Sequence, residues 1–413
     1  MSRIILCSAL VAALAGISVC TAGADAVIDW NDLASVTSNA DSAAHPESSD
    51  AWSPKSEAEE IVAVAIFQAV NGVNPRYSPF RATLAPLRAG ASAPAAAMAA
   101  GHAALVQIFP DRKAALDDAY QLALAQIPET PARAAGIDIG ERAAAQVVAA
   151  RAADNAGTPT PYRPAAPPGV WVPTTPTTIP RYYWSAKPWL LTSISQFRPK
   201  APVSLASKTW ARDYNETRTL GARNSAARSD EWTRLATFYS QWRQWPIVRQ
   251  VAAAPGRTLE QNARLYALVA MAVADATSAM VDGKLTYTFW RPITAIRNGD
   301  QDGNDATERQ ADWEPLLKTP MHPEYPCGHC VIIAALTTVL AAEGPPPAGG
   351  IAVTSDALPG AVRYVASYTT LADEISLSRI YAGAHFRSSI EVGADLGHRV
   401  AEFALQGFLR PVH

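Results

Sequence analysis

Apolar positions recur along most of this chain with helical spacing. Ile61, Val62, Ile66 and Phe67 follow Glu57, Glu59 and Glu60, which favour the first turn of a helix, so the pattern predicts a helix over 56–72 that stops at Asn71-Gly72. Ala-rich stretches predict three more, over 92–108, 111–127 and 138–154. Helical patterning resumes over 207–221 and 229–245. Thr258 and Gln261 form a capping box opening a long helix through Leu265, Leu268 and Met271. An apolar segment at 331–342 reads as a buried helix, followed by helices over 359–376 and 386–408. Strand-like alternation is scarce and no repeat period appears. The expectation is an all-α fold of roughly ten helices, packed as a helical bundle or bundles with long Pro-rich loops.

Two stretches fall outside this pattern. Residues 25–55, rich in Ser, Ala and Asp, are expected to be an extended lead-in. In 158–203, Pro recurs every few residues with Trp171, Trp184 and Trp189 between them. Rings of that size need a place to bury, so this stretch is expected to be an ordered loop wrapped over a single helical domain spanning 56–413.

Composition narrows the function. A hydrophobic content of 49% supplies a large core. With 35 Lys and Arg against 37 Asp and Glu, the net charge is -2. That excludes a general electrostatic attraction to nucleic acid or anionic lipid, so any anion site must be assembled locally. Arg3, the apolar run from Ile4 to Val19 and the small residues Ala22-Gly23-Ala24 mark residues 1–24 as a cleaved signal peptide. The mature protein is then expected to be secreted or periplasmic. No other apolar run reaches the ~20 residues needed to span a bilayer. Cleavage removes Cys7 and Cys20 and leaves Cys327 and Cys330 in a compartment that permits disulfides.

Three segments carry candidate chemistry. Lys284 and Arg291, the latter followed by Pro292, are seven apart and would share one face of a helix, where two cations can grip one tetrahedral anion. In His322-Pro-Glu-Tyr-Pro-Cys-Gly-His329-Cys330, Pro and Gly precede an apolar helix. Its first N–H groups form a ready anion site, with His329 beside it. Arg379 and His385 are six apart and lie on different sides of a helix. They converge only if Gly383 or the next helix start bends the backbone. Taken singly, these segments also fit a solvated basic pair, a capping loop and a surface Arg with a core His. Cys327-Gly-His-Cys330 spells a thiol–disulfide exchange motif, but the strand–helix context of that chemistry is missing. A disulfide at the helix start is the simpler reading.

Taken together and in this order, the segments resemble the three-part signature of the vanadium-dependent haloperoxidase and type 2 phosphatidic acid phosphatase superfamily. Asp29-Trp30-Asn31, the 56–72 helix and the segment from Lys187-Pro188 to Arg198-Pro199 resemble its bacterial haloperoxidase-like branch. The resemblance implies that Lys284, Arg291, Arg379, the Gly328 N–H and the residue at Cys327 bind the oxygens of vanadate, or of competing phosphate. It implies that His385 is the axial ligand of vanadium, or the phosphatase nucleophile, and that His329 is the general acid–base group. By the same resemblance His322 favours bromide or iodide, and Ser378 lies behind the site. Cys327 stands where the family has Ser. Ser389 stands where it has the Asp that orients the histidine, and Glu391 is the nearest substitute. Asp230 or Glu231 is a candidate partner for Arg379 or His329.

The implied function is an exported vanadate-dependent haloperoxidase, an oxidoreductase taking hydrogen peroxide, a halide and an organic acceptor. The alternatives are a secreted acid phosphatase cleaving a phosphate ester through a phosphohistidine, and a catalytically weak oxyanion-binding member.

Overall fold

The computed structural model describes residues 25–45, 54–80, 90–152, 165–173 and 187–412. The expected signal peptide and Trp184 lie outside them. Among the described residues the fold is all-α, as expected. Its helices are α1 (Ala26–Ala44), α2 (Ala58–Val73), α3 (Ala93–Ile108), α4 (Lys113–Leu124), α5 (Pro131–Ala152), α6 (Lys208–Leu220), α7 (Asp230–Phe238), α8 (Trp245–Ala252), α9 (Leu259–Tyr287), α10 (Pro292–Arg297), α11 (Gly328–Glu343), α12 (Tyr368–Tyr381) and α13 (Arg387–Gly407). One hairpin, β1 (Ile351–Thr354) and β2 (Val362–Val365), pairs antiparallel with Ile351 opposite Val365.

The chain divides into two compact units rather than the single domain expected over 56–413. One comprises Met1–Ala156, Val248–Met271 and Ala404–His413, the other Gly157–Ile247 and Ala272–Phe403. Three of the crossings between them fall inside α8, α9 and α13. No composition shift or linker marks them, which is why the sequence read as one domain.

In the first unit the described part of the expected lead-in, up to residue 45, is largely a helix. Asp25 caps α1 by accepting from the N–H groups of Val27 and Ile28. Val27, Trp30 and Ala34 recur on one buried face beneath a polar composition. The Ala-rich helices pack at backbone distance. A Cβ added at Gly136 or Gly140 of α5 would lie 2.4 Å from the carbonyl oxygens of Ser92 and Ala96.

The second unit holds the three motif segments. Part of the helix expected over 359–376 is strand β2. At four residues it is too short to show an alternating pattern, and the helix begins only at Tyr368, capped by Ser367. The Pro- and Trp-rich loop is ordered where it is described: Trp171 and Trp189 are buried. Asp275, buried on α9, accepts the backbone N–H groups of Trp189, Leu190 and Leu191 at 2.6, 2.7 and 2.8 Å. One turn of N–H donors is thus satisfied by one carboxylate. Asp282 takes the Arg198 guanidinium through two bonds of 2.6 Å. α9 is long and apolar enough to cross a membrane by length and composition, but 78% of its apolar window is buried, as in a core helix.

Asp275→Ala should lower unfolding stability by about 3 kcal/mol or more, because three buried N–H groups lose their acceptor. Urea denaturation measures this; a loss below about 1 kcal/mol would show that the loop is held by other contacts.

Candidate functional site

Lys284 lies in the last turn of α9, but Arg291 is not on that helix. α9 ends at Tyr287 and Thr288 takes a φ of 44°. The chain then runs beside the Pro-rich loop. The Trp171 N–H donates to the Thr288 carbonyl at 2.6 Å and the Trp290 N–H to that of Gly169 at 3.0 Å. Arg291 is the N-cap residue of α10. The two cations therefore meet through a helix break, not on the shared face that their spacing predicted.

Arg379 and His385 converge through the anticipated bend. α12 ends at Tyr381, and Gly383 adopts a φ of 72°, where a side chain would be strained. A Cβ there would also lie 2.5 Å from the Gly221 carbonyl oxygen. The N–H groups of Ala384 and His385 both fold back onto the Arg379 carbonyl, at 3.1 and 3.3 Å. Asp213 then accepts the Ser388 N–H at 2.9 Å, fixing the start of α13.

Cys327 is the N-cap residue of α11 and is disulfide-bonded to Cys330, as the sequence suggested. This corrects the donor role expected of Cys327. A disulfide has no thiol proton, and the Cys327 N–H is already given to the Ser389 carbonyl at 3.2 Å. The N–H groups of Gly328 and His329 open the helix, where no intrahelical acceptor exists for them. α13 presses against this turn. A Cβ at Gly393 would lie 2.7 Å from the Cys327 carbonyl oxygen, and one at Gly397 2.3 Å from that of Val331.

Lys284, Arg291, Arg379, His385 and Glu324 are all buried. Lys284 Nζ donates to the carbonyls of Pro323, Glu324 and Pro326 at 2.9, 2.8 and 2.6 Å, which engages all three of its protons. Burial holds its pKa well below the usual lysine value, with Arg291 adding to the effect and Glu324 opposing it. Arg291 donates to the carbonyls of His322 and Ala384, to His385 Nε2 at 3.1 Å and to His322 Nδ1 at 2.9 Å. Burial lowers it to about 9, against the attraction of Glu324. Arg379, lowered to about 10 by burial, is different: its Nε and Nη1 have no partner.

Glu324 was not singled out in the sequence. Its Oε1 accepts from His385 Nδ1 at 2.7 Å and from the Phe386 N–H at 3.1 Å. Burial raises its pKa to about 7, while Arg291 and Lys284 pull it down. The sequence signal was an acidic residue confined between Pro323 and Pro326, just before the Gly-His turn. Glu391, the expected substitute carboxylate, is exposed and faces Arg387 instead. Ser378 donates to the Ile375 carbonyl of its own helix at 2.6 Å, so its hydroxyl does not serve the site. Glu231 pairs with Arg363 at 2.9 Å and with Arg234 at 3.4 Å, and Asp230 lies at the exposed start of α7; neither pairs with Arg379.

Three histidines surround the cations. Burial holds His322, His329 and His385 well below the usual imidazole pKa, and neighbouring cations reinforce this. For His329 the cations are Arg379 and, more weakly, Arg291, and the backbone carbonyls of Ser240 and Tyr239 act in the opposite direction. Arg291 can only donate, so it must meet a bare lone pair on His385 Nε2; His322 Nδ1 is shared between Arg291 Nη2 at 2.9 Å and the Pro323 carbonyl at 3.1 Å.

This donor set fits a tetrahedral oxyanion. Two buried guanidinium N–H groups lack an acceptor, two helix-start N–H groups are open, and an imidazole presents a bare nitrogen. Lys284 or Arg291 would join by releasing one present contact.

By NMR, the ring resonances of all three histidines should stay at their neutral positions from about pH 8 down to 6.5, the ordinary imidazole value. A midpoint at or above 6.5 would show that burial does not govern that ring.

Comparison with known proteins agrees with this geometry. The family described as the VCPO second helical-bundle domain matches residues 264–413. The structure is similar to that of the first bacterial vanadium-dependent iodoperoxidase, with a TM-score of 0.72 and 23% identity, covering 94% of this chain and 97% of that one. It is similar to the apo form of a bacterial vanadium-dependent chloroperoxidase, with a TM-score of 0.65 and 17% identity over 84% of this chain and 90% of that one. For the holo form of a bacterial vanadium-dependent chloroperoxidase the TM-score is 0.64 and the identity 18%, over 84% and 89%. No curated protein matches the chain by sequence.

Proposed function

From the family match over residues 264–413 and the likeness of its fold to bacterial vanadium haloperoxidases, we propose that this chain is an exported vanadate-dependent haloperoxidase. It would oxidise halide, bromide or iodide in preference, to hypohalous acid with hydrogen peroxide. The observation that carries this reading is a buried, partnerless pair of Arg379 N–H groups in the same site as His385, whose Nε2 is bare.

Arg379 Nε and Nη1 would take two oxygens of vanadate, and the Gly328 N–H a third. Lys284 and Arg291 would add charge by exchanging one carbonyl or imidazole contact for an oxygen. His385 Nε2 would hold the vanadium. Bound vanadate supplies Lewis-acid activation of peroxide. His329, neutral at neutral pH and at the start of α11, is the group that takes the peroxide proton and returns it. His322, in contact with Arg291, stands beside the cations and favours the larger halides. Phosphate, of the same shape and charge, competes for the same donors.

Export rests on the signal-like residues 1–24, and the Cys327–Cys330 disulfide supports an oxidising compartment. The exported protein should begin near Asp25 by intact mass and take up no alkylating reagent before reduction. Two labelled thiols would contradict the pairing.

The activity test compares one purified sample in two assays. With peroxide and bromide, vanadate should switch on bromination of a dimedone-type acceptor. His385→Ala or Arg379→Ala should each reduce it by about 100-fold or more. Hydrolysis of a phosphate ester without vanadate, and no bromination with it, would make the chain a phosphatase instead.

A further inference from the structure

The carboxylate expected to orient His385 is missing from its usual place. Ser389 stands there, buried, with its hydroxyl beside the Glu324 carboxyl group. A carboxylate nevertheless reaches the ring from a different segment. Glu324 is anchored at both backbone ends: its N–H donates to the Phe289 carbonyl at 2.8 Å, and its carbonyl accepts from Lys284 at 2.8 Å. The Phe386 N–H and His385 Nδ1 converge on the same oxygen, Oε1. On the far side of the ring Arg291 Nη1, which can only donate, faces Nε2 at 3.1 Å. Both edges of the imidazole thus specify one tautomer, with the proton on Nδ1 and the lone pair on Nε2.

We propose that Glu324 is the positioning residue for His385, replacing the carboxylate absent at position 389 and keeping Nε2 bare for the oxyanion's central atom. The proposal rests on the oxyanion reading given above. It also explains Ser389. That hydroxyl adjoins Glu324, so a second carboxylate there would put two like charges beside one ring. The carboxylate has moved from α13 to the loop before α11, and the position it left is neutral.

The test separates vanadate from phosphate, because only vanadate needs a bond from Nε2 in its resting complex. Binding of each anion is measured by calorimetry on the metal-free protein, and the His385 tautomer by nitrogen NMR with labelled histidine. The wild-type ring should show a protonated Nδ1. Glu324→Ala should lose that signature and lower vanadate affinity about 10- to 100-fold, with phosphate affinity little changed. Adding Ser389→Asp to Glu324→Ala should restore both. Should the Ala variant fail to fold, Glu324→Gln keeps the shape. Its amide oxygen must still accept the Phe386 N–H, so the tautomer stays while the vanadate-to-phosphate ratio falls. An unchanged ratio in Glu324→Gln, or an unchanged tautomer and ratio in Glu324→Ala, overturns the proposal. A wild-type protein that binds neither anion instead overturns the oxyanion reading, and the tautomer still reports on Glu324.

Discussion

Three cationic side chains are buried close together in the second unit, and much of the local architecture answers that constraint. Removing a charge from water is costly unless other dipoles replace the water. Lys284 is solvated by three carbonyls of the 323–326 loop, and Arg291 by two carbonyls and two imidazoles. Unused carbonyls occur where helices stop and loops turn. The site accordingly lies at the end of α9, the end of α12 and the start of α11. Glu324 is the carboxyl group set among the three cations. Arg379 keeps two unsatisfied N–H groups, and that imbalance is what an oxyanion would complete.

Such an arrangement works only if the helix ends stay in register. Gly393 and Gly397 let α13 approach the first turns of α11 at a separation that no side chain permits. Gly383 supplies the backbone turn that folds His385 back toward Arg379. The Asp275 carboxylate fastens the Pro-rich loop to α9, the helix whose last turn carries Lys284. The same loop draws Thr288 and Trp290 out of helical geometry, and so places Arg291. Loop and site are mechanically continuous within this unit.

The helices were legible because burial on one face writes a period into the sequence; the capping box at Thr258 and Gln261 forms as read, with bonds of 2.9 and 3.3 Å. The bend at Gly383 was legible because Arg379 and His385 could not otherwise meet. The break after Tyr287 was not, since its cause is a pairing with residues more than a hundred positions away. α1 was hidden by a polar composition that masked its buried face, and β2 by its brevity. Glu324 was overlooked for a similar reason. A motif fixes the position of a letter, whereas the ring needs only an oxygen at the right distance, and a loop can bring that oxygen from elsewhere.

The pair Cys327 and Cys330 shows the same separation of letter from chemistry. Read as a thiol, Cys327 would be a weak oxyanion donor and an oxidisable group beside peroxide. Joined to Cys330 it is neither, because the first oxidation step of a thiol is already spent in the S–S bond. The disulfide closes the first turn of α11, and both cysteines are fully buried. What remains for an anion at this turn is the backbone: the N–H groups of Gly328 and His329, which no oxidant removes. A Ser replaced by Cys therefore leaves the electrostatic part of the turn intact and gives up one hydroxyl donor. The partnerless Arg379 becomes correspondingly more important to any anion held there.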